Sequence, residues 1–408
     1  MPKPLEGVRV ADFSHVMAGP FASHFLCLLG AEVIKVEPPG RGDAFRNYGA
    51  DRRYDGMAPA FIAANVGKKS IALNLKAPEG ADAARKLIAS CDVVLENFRP
   101  GVMDRLGLGY EVCRGLRPDI IFCSVSGYGQ SGPLRDYPAI DNIVQAASGM
   151  MSLGGDPGGP PMKVGFPAID TWTGQTGAVA ILAALLQRER FGGGQYIDLA
   201  MLDASLVFMA SAATPYLVTG RPFERTGSAG YSGLPTAGMF KTREGGTVSL
   251  GVVQPVQFER FCRVIGRSDL LEDPRFATAD LQRENSAALE AILAGIFMMR
   301  DGFEWEQVLS TAGVPCGLVR DVPQVFEQLE HLKDRQLLFR VHAPGLPDGE
   351  DIDVLGAGFM FAHDGPSVDQ PPPRLGQHTE EVLRHLGYSD ADIRRLEQTG
   401  VAGAEIAA

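Results

Sequence analysis

Residues 8–37, VRVADFSHVMAGPFASHFLCLLGAEVIKVE, decide the fold. Val8 to Phe13 reads as a buried strand, and Ser14 to Gly19 as a short loop. Pro20 stands where a helix tolerates proline, since the first turn leaves its N–H groups unpaired in any case. Phe21 to Leu29 is helical, Gly30 closes it, and Ala31 to Glu37 is a second strand. Strand, helix and strand in this order form a βαβ unit, which requires a parallel pair.

The alternation continues outward. Ser70 to Leu75, Val93 to Glu96 and Ile120 to Val125 read as strands, and Pro78 to Ser90 as an amphipathic helix with Ala81, Ala84, Leu87 and Ile88 on one face. A mostly parallel sheet covered by helices follows. A Gly/Pro-rich segment, Gly154 to Pro161, interrupts it. Beyond lie a long helix over about Thr171 to Arg190, a strand from Tyr196 to Met201, and a helix from Met201 to Tyr216. The long helix carries an apolar face of Val179, Leu182, Ala183 and Leu186. Gly220 to Tyr231 reads as a linker. The expected organisation is a large α/β domain over 1–220, a small α+β domain with its linkers over 221–325, and a return to the large domain over 326–408.

A chain of 408 residues has room for such a division. Its net charge of -11 argues against non-specific nucleic-acid binding and against an anionic membrane surface. A local basic cluster can still hold an anion. The six cysteines contain no CxxC pair, and the His24/Cys27 spacing lacks the second pair that a zinc site needs, so no metal is expected. Reduced, buried thiols fit a cytoplasmic protein. The first residues carry no secretory h-region, and Phe21 to Leu29 is too short to span a bilayer.

Three motifs bear on chemistry. SGYGQSG (126–132) contains GxGxxG after a strand, but Pro133, Arg135 and Pro138 follow where a dinucleotide site needs a helix. It reads as a structural loop. HVMAGP (15–20) joins strand to helix at the carboxyl edge of the sheet, where open α/β folds bind ligands. VGFPAIDTWTGQTG (164–177) places Asp170 at a helix start. Such an aspartate is a natural N-cap. The same geometry, with N–H donors and the helix dipole holding the carboxylate ionised, suits a nucleophile. Gly174 and Gly177 permit a substrate or another backbone to come close. Asp141 also precedes an apolar helical stretch, as a cap or as the competing carboxylate.

Taken in order, LEGVRVAD (5–12), HVMAGP (15–20), LGAEVIKVE (29–37), KSIALN (69–74), DVVLENFRPG (92–101), DRLGLG (104–109), SGYGQSG (126–132), the Asp170 segment, GGGQYIDLAM (192–201), GVPCG (313–317) and LGQHT (375–379) resemble the CaiB/BaiF family, the class III CoA-transferases, with a formyl-CoA transferase-like pattern. The resemblance implies a Rossmann-like large domain, a smaller domain, and an interlocked homodimer. It makes Asp170 the catalytic residue. By resemblance, Asp170 attacks an acyl-CoA, CoA leaves, an aspartyl-CoA thioester forms, and a carboxylic acid acceptor takes up the CoA. Coenzyme A is then a co-substrate, with no permanently bound cofactor. CoA contacts carry over to His15, Val16, Ala18, Asn97, Phe98 and Arg105. Lys35 and Lys69 fall in matched segments, with a solvated or structural role as the alternative.

The chain departs from the formyl-CoA transferase pattern at Pro38 and Pro138, where basic residues are expected, and at Tyr231 to Phe240, which lacks a glycine run. These departures weigh against formate and oxalate as its acids. Arg221, Arg225 and the Tyr231–Met239 segment are candidates to meet an acceptor carboxylate. The rival readings are an α-methylacyl-CoA racemase or isomerase using Asp170 in proton transfer, and a non-catalytic CoA-binding protein. The racemase needs a histidine beside the position of Asp141, where Ile140 stands.

Overall fold

The computed structural model describes residues 2–404, which divide into two compact units. The first takes the chain up to Met150, Lys163–Gly220 and the part from His331 onward; the second takes Met151–Met162 and Arg221–Glu330.

In the first unit β1 (Arg9–Asp12), β2 (Glu32–Glu37), β3 (Lys69–Ala72), β4 (Val93–Glu96), β5 (Ile121–Ser126) and β6 (Gln195–Ala200) form one sheet of order β3-β2-β1-β4-β5-β6. Every pairing in it is parallel. The order reverses between β1 and β4, which opens a crevice at their carboxyl ends. Two cores cover the two faces. Leu87, Ile88, Leu108, Phe122, Leu383 and Leu396 belong to one; Val10, Leu26, Val33, Leu95, Ala178 and Ile181 belong to the other.

The second core shows how the long helix Ala168–Phe191 seats. It buries Gly174, Gly177, Ala178, Ile181 and Ala184, not the face of Val179 and Leu186, which are 67% and 47% exposed. Of the expected apolar face only Leu182 packs against this core. The helix is apolar nearly all round, and close approach selects its smallest residues. A Cβ on Gly174 would stand 2.8 Å from the Ala18 carbonyl oxygen and 2.8 Å from the Phe21 Cβ, and one on Gly177 would stand 3.2 Å from the Ala22 Cβ. Both glycines admit the helix Ala18–Leu28.

One further difference follows from local geometry, and one expectation holds. The single helix expected from Met201 to Tyr216 is two, Met201–Phe208 and Ala210–Thr219, bent by 81°. Among the described residues no single helix is long and apolar enough to cross a membrane. The SGYGQSG loop opens no helix: the Gly129 N–H meets the Ser126 hydroxyl, and the Gln130 N–H meets the Asp198 carboxylate at 3.0 Å. It is a turn tying β5 to β6.

The second unit holds an antiparallel sheet of β7 (Ala237–Lys241), β8 (Thr247–Gly251) and β9 (Cys316–Leu318). Phe261, Phe297, Trp305 and Leu309 form its core, and the Trp305 indole N–H is satisfied by the Phe297 carbonyl.

Candidate active site

The loop after β1 is fixed from below by buried charge. Asp12 accepts from the Ser14 N–H, the Ser14 and Ser23 hydroxyls and the Lys68 ammonium. Burial alone would raise its pKa, but Lys68, Lys35 and the two hydroxyls outweigh that and hold it well below the usual carboxylate range. Lys35 is fully buried; it donates to the Ser14 carbonyl at 2.7 Å and pairs with Asp43 at 2.8 Å. Lys35 is thus a structural residue. Lys69 is another, bridging Glu32 and Glu381.

Asp43 reaches up to the loop. Its carboxylate accepts the Val16 N–H at 3.1 and 3.2 Å. Val16 has φ +70°, a left-handed conformation that a β-branched residue adopts only under constraint. The Asp43–Lys35 pair supplies that constraint, and leaves the Val16 side chain 38% exposed above it. Sequence reasoning passed over Asp43 and Lys68, because nothing in a single sequence shows which strand-end charges meet.

The reversal point of the sheet is closed by a reciprocal pair. The His15 N–H donates to Asn97 Oδ1 at 2.8 Å, and Asn97 Nδ2 donates to the His15 carbonyl at 2.7 Å. The His15 and Phe98 rings lie 5.5 Å apart. Burial, assisted by Lys35, lowers the His15 pKa, so its imidazole is neutral at pH 7. Glu96, at the end of β4, accepts the Phe98 N–H at 2.8 Å, and burial pushes its pKa up to about 7. His15, Val16, Ala18, Asn97 and Phe98 are thus brought to one edge. Arg105 lies farther along the same segment, beside Gly101.

Asp170 joins this edge through the helix packing. The Ala18 carbonyl touches Gly174, one turn beyond Asp170. The capping roles, however, differ from expectation. The N-cap is Pro167, and Asp170 is the third helical residue. The capping carboxylate is Asp141: its Oδ2 accepts the Ile169 N–H at 2.8 Å and the Asp170 N–H at 3.0 Å. Its Oδ1 takes the Gln145 amide at 2.6 Å, while Gln145 Oε1 accepts the Val164 N–H at 2.9 Å. Asp141 itself opens its own helix, Asp141–Ala147, and caps a different one. It does so because a proline at the N-cap brings no side-chain acceptor.

The consequence for Asp170 is electrostatic. Among the described residues no donor bonds its carboxylate, because Asp141 has taken the helix N–H groups. Burial first, and the Asp141 charge second, push its pKa up to about 7. The expectation that N–H donors keep it ionised is corrected: it is a poorly solvated, unpaired carboxylate that loses its proton near neutrality. A cavity of about 670 Å³ backs onto the next turn at Thr171 and Gln175, and is lined by Met17, Phe21 and Phe166.

The six thiols are free, and those of Cys91, Cys113 and Cys262 are buried and pushed up to about 12, which makes them unreactive. Arg225, in the second unit, spends its donors on the Ser152, Gly159 and Pro160 carbonyls, where it braces a loop.

The family model described as CoA-transferase family III matches residues 5–379. The succinyl-CoA:glutarate CoA-transferase of Mus musculus is 36% identical over 98% of this chain and 90% of its own. The acetyl-CoA:oxalate CoA-transferase of Acetobacter aceti is 38% identical over 95% of this chain and 97% of its own. A CaiB/BaiF family protein from Brucella suis has a crystal structure that superposes with a TM-score of 0.84 at 32% identity, covering 95% of this chain and 100% of that one. The chain belongs to the class III CoA-transferases.

Proposed function

We propose that this class III CoA-transferase moves CoA from an acyl-CoA to a dicarboxylic acid through covalent intermediates on Asp170. The observation that carries the reading is the state of that carboxylate: unpaired, mostly buried, and titrating near neutrality beside the β1 loop. A desolvated carboxylate without hydrogen bonds is a stronger nucleophile than a solvated one.

The Asp170 oxygen attacks the thioester carbonyl; the C–S bond breaks, leaving a mixed anhydride and CoA thiolate. The thiolate attacks the aspartyl carbonyl of the anhydride, which releases the donor acid and forms an aspartyl-CoA thioester. The acceptor carboxylate attacks that carbonyl, expels the thiolate and forms a second anhydride. The thiolate then attacks the acceptor's carbonyl, which yields its CoA ester and regenerates the Asp170 carboxylate. No water and no net proton is consumed. His15, Val16, Ala18, Asn97, Phe98 and Arg105 hold the CoA. The neutral His15 and the Phe98 ring offer an apolar wall for the pantetheine, and Arg105 a cation for a phosphate.

Dicarboxylic acceptors are favoured because the relatives are named for glutarate and oxalate. Oxalate therefore returns as a candidate despite Pro38 and Pro138. The working form is an interlocked homodimer. Leu206, Val207, Phe208, Leu217 and Val218 are exposed on the bent helix pair, and exposed apolar side chains of this kind suit cover by a second copy. The test is incubation with succinyl-CoA and a panel of mono- and dicarboxylic acids, read as new CoA esters. Transfer to glutarate-sized or shorter diacids supports the reading. No ester with any acid, together with α-proton exchange on a 2-methylacyl-CoA, would replace it with the racemase.

A further inference from the structure

Two arginines converge where no anion meets them. A Cβ added to Gly101 would stand 3.3 Å from a terminal nitrogen of Arg105 and 3.6 Å from one of Arg135. Gly101 has φ +76°, and its missing side chain leaves room for both guanidinium groups. They arrive from different segments, one following β4 and the other following β5, which are adjacent parallel strands. Among the described residues neither has a carboxylate within ion-pair distance. Among the other arginines of this unit, Arg85 is paired with Asp82, Arg114 with Glu111 and Arg117 with Asp92. Arg135 Nε is out of solvent and has no hydrogen-bond partner, and Gln130 Nε2 on the same segment is in the same state.

A buried guanidinium donor without an acceptor is costly, and two cations side by side repel. Both penalties vanish when a phosphate sits between them, since guanidinium forks match phosphate oxygens. Position also fits. Arg135 stands six positions before Asp141, whose carboxylate holds the Asp170 N–H. Six residues span at most roughly 20 Å, a reach comparable with an extended phosphopantetheine arm.

We propose that Arg135 is a phosphate-binding residue that holds the nucleotide end of CoA together with Arg105. The inference rests on the CoA-transferase reading. It supplies, from the β5 segment, a cation where Pro38 and Pro138 leave none.

The experiment compares the wild-type protein with Arg135→Ala and Arg135→Lys. CoA, 3′-dephospho-CoA and pantetheine are titrated by calorimetry, and transfer is measured with succinyl-CoA and with succinyl-pantetheine. Arg135→Ala is expected to weaken CoA binding by tenfold or more and to raise KM for succinyl-CoA with kcat little changed. Pantetheine binding and succinyl-pantetheine kinetics stay as in the wild type, and Arg135→Lys recovers part of the loss. If dephospho-CoA loses as much as CoA, the clamp holds the diphosphate; if it loses nothing, the clamp holds the 3′-phosphate. Unchanged CoA binding in a folded Arg135→Ala variant overturns the clamp while leaving the transferase reading intact. A loss equal for CoA and pantetheine overturns it as well, because it shows a general disturbance. A wild-type protein that binds no CoA removes both.

Discussion

Replacing Asp141 by asparagine isolates the charge that raises the Asp170 pKa. The side chain keeps its size and one oxygen to accept the Ile169 and Asp170 N–H groups. The negative charge beside the nucleophile is lost. Two unit charges roughly 5 Å apart interact by about 1–3 kcal/mol between the dielectric of a protein surface and that of water, which corresponds to about 1–2 pH units. With the wild-type Asp170 titrating at about 7, kcat/KM for the acyl-CoA rises with pH through that value, because only the deprotonated carboxylate attacks. In Asp141→Asn the acidic limb moves down, so at pH 6 the ionised fraction of Asp170 grows roughly fivefold for a shift of one unit. The cost is structural. The new amide NH₂ faces the Gln145 amide, and Gln145 cannot turn over without releasing the Val164 N–H. A loss of about 1–3 kcal/mol in stability follows from one frustrated buried contact. Glu96 also titrates at about 7, so Glu96→Gln is measured alongside and is expected to leave the Asp170 limb in place. An acidic limb that stays put in folded Asp141→Asn, or moves with Glu96→Gln instead, would refute the reasoning.

Asp170→Asn abolishes transfer, and it also changes stability in a pH-dependent way. A carboxyl whose pKa rises from 3.8 unfolded to about 7 folded binds more protons in the native state, so it destabilises the fold progressively as pH climbs between those values. Thermal melts of the variant and wild type should therefore coincide near pH 4 and separate in favour of the variant by pH 8; a gap that is constant with pH contradicts this. Val16→Gly relieves a strained residue worth about 1–3 kcal/mol, and should raise Tm while increasing KM for acyl-CoA through a looser loop; a lower Tm would show that Asp43 does not hold Val16 under strain. Gly174→Ala puts a methyl 2.8 Å from the Ala18 oxygen. Overpacking of this kind costs about 1–3 kcal/mol, and calorimetric unfolding with no loss of stability would contradict the helix contact.

Most of the parallel sheet was legible in the sequence because its first five strands are short, mostly apolar runs separated by helix or turn signals, as in residues 8–37, whereas β6, with Gln195 and Asp198, read as a strand without being assigned to the sheet. The family was legible because many short motifs recur in order, although no one of them is decisive. Asp170 could be singled out, but its environment could not. A helix start invites the N-cap reading, and only the fold shows Asp141 arriving from another helix to take the donors. The packing face of the long helix was misread for a related reason: on a helix apolar nearly all round, periodicity does not distinguish faces, and the choice falls to the size of Gly174 and Gly177 against a neighbour. The buried ion pairs Lys35–Asp43 and Lys68–Asp12 were hidden because each joins residues of different elements, and no sequence period links them.

The most direct measurement is mass spectrometry of the protein incubated with succinyl-CoA alone, quenched in acid or in hydroxylamine and digested. The peptide containing residues 164–177 is expected to carry CoA as a thioester after acid, and a hydroxamate on Asp170 after hydroxylamine, with neither in Asp170→Asn. Full transfer activity without any adduct on Asp170, or an adduct on Asp141 instead, would contradict covalent catalysis by Asp170.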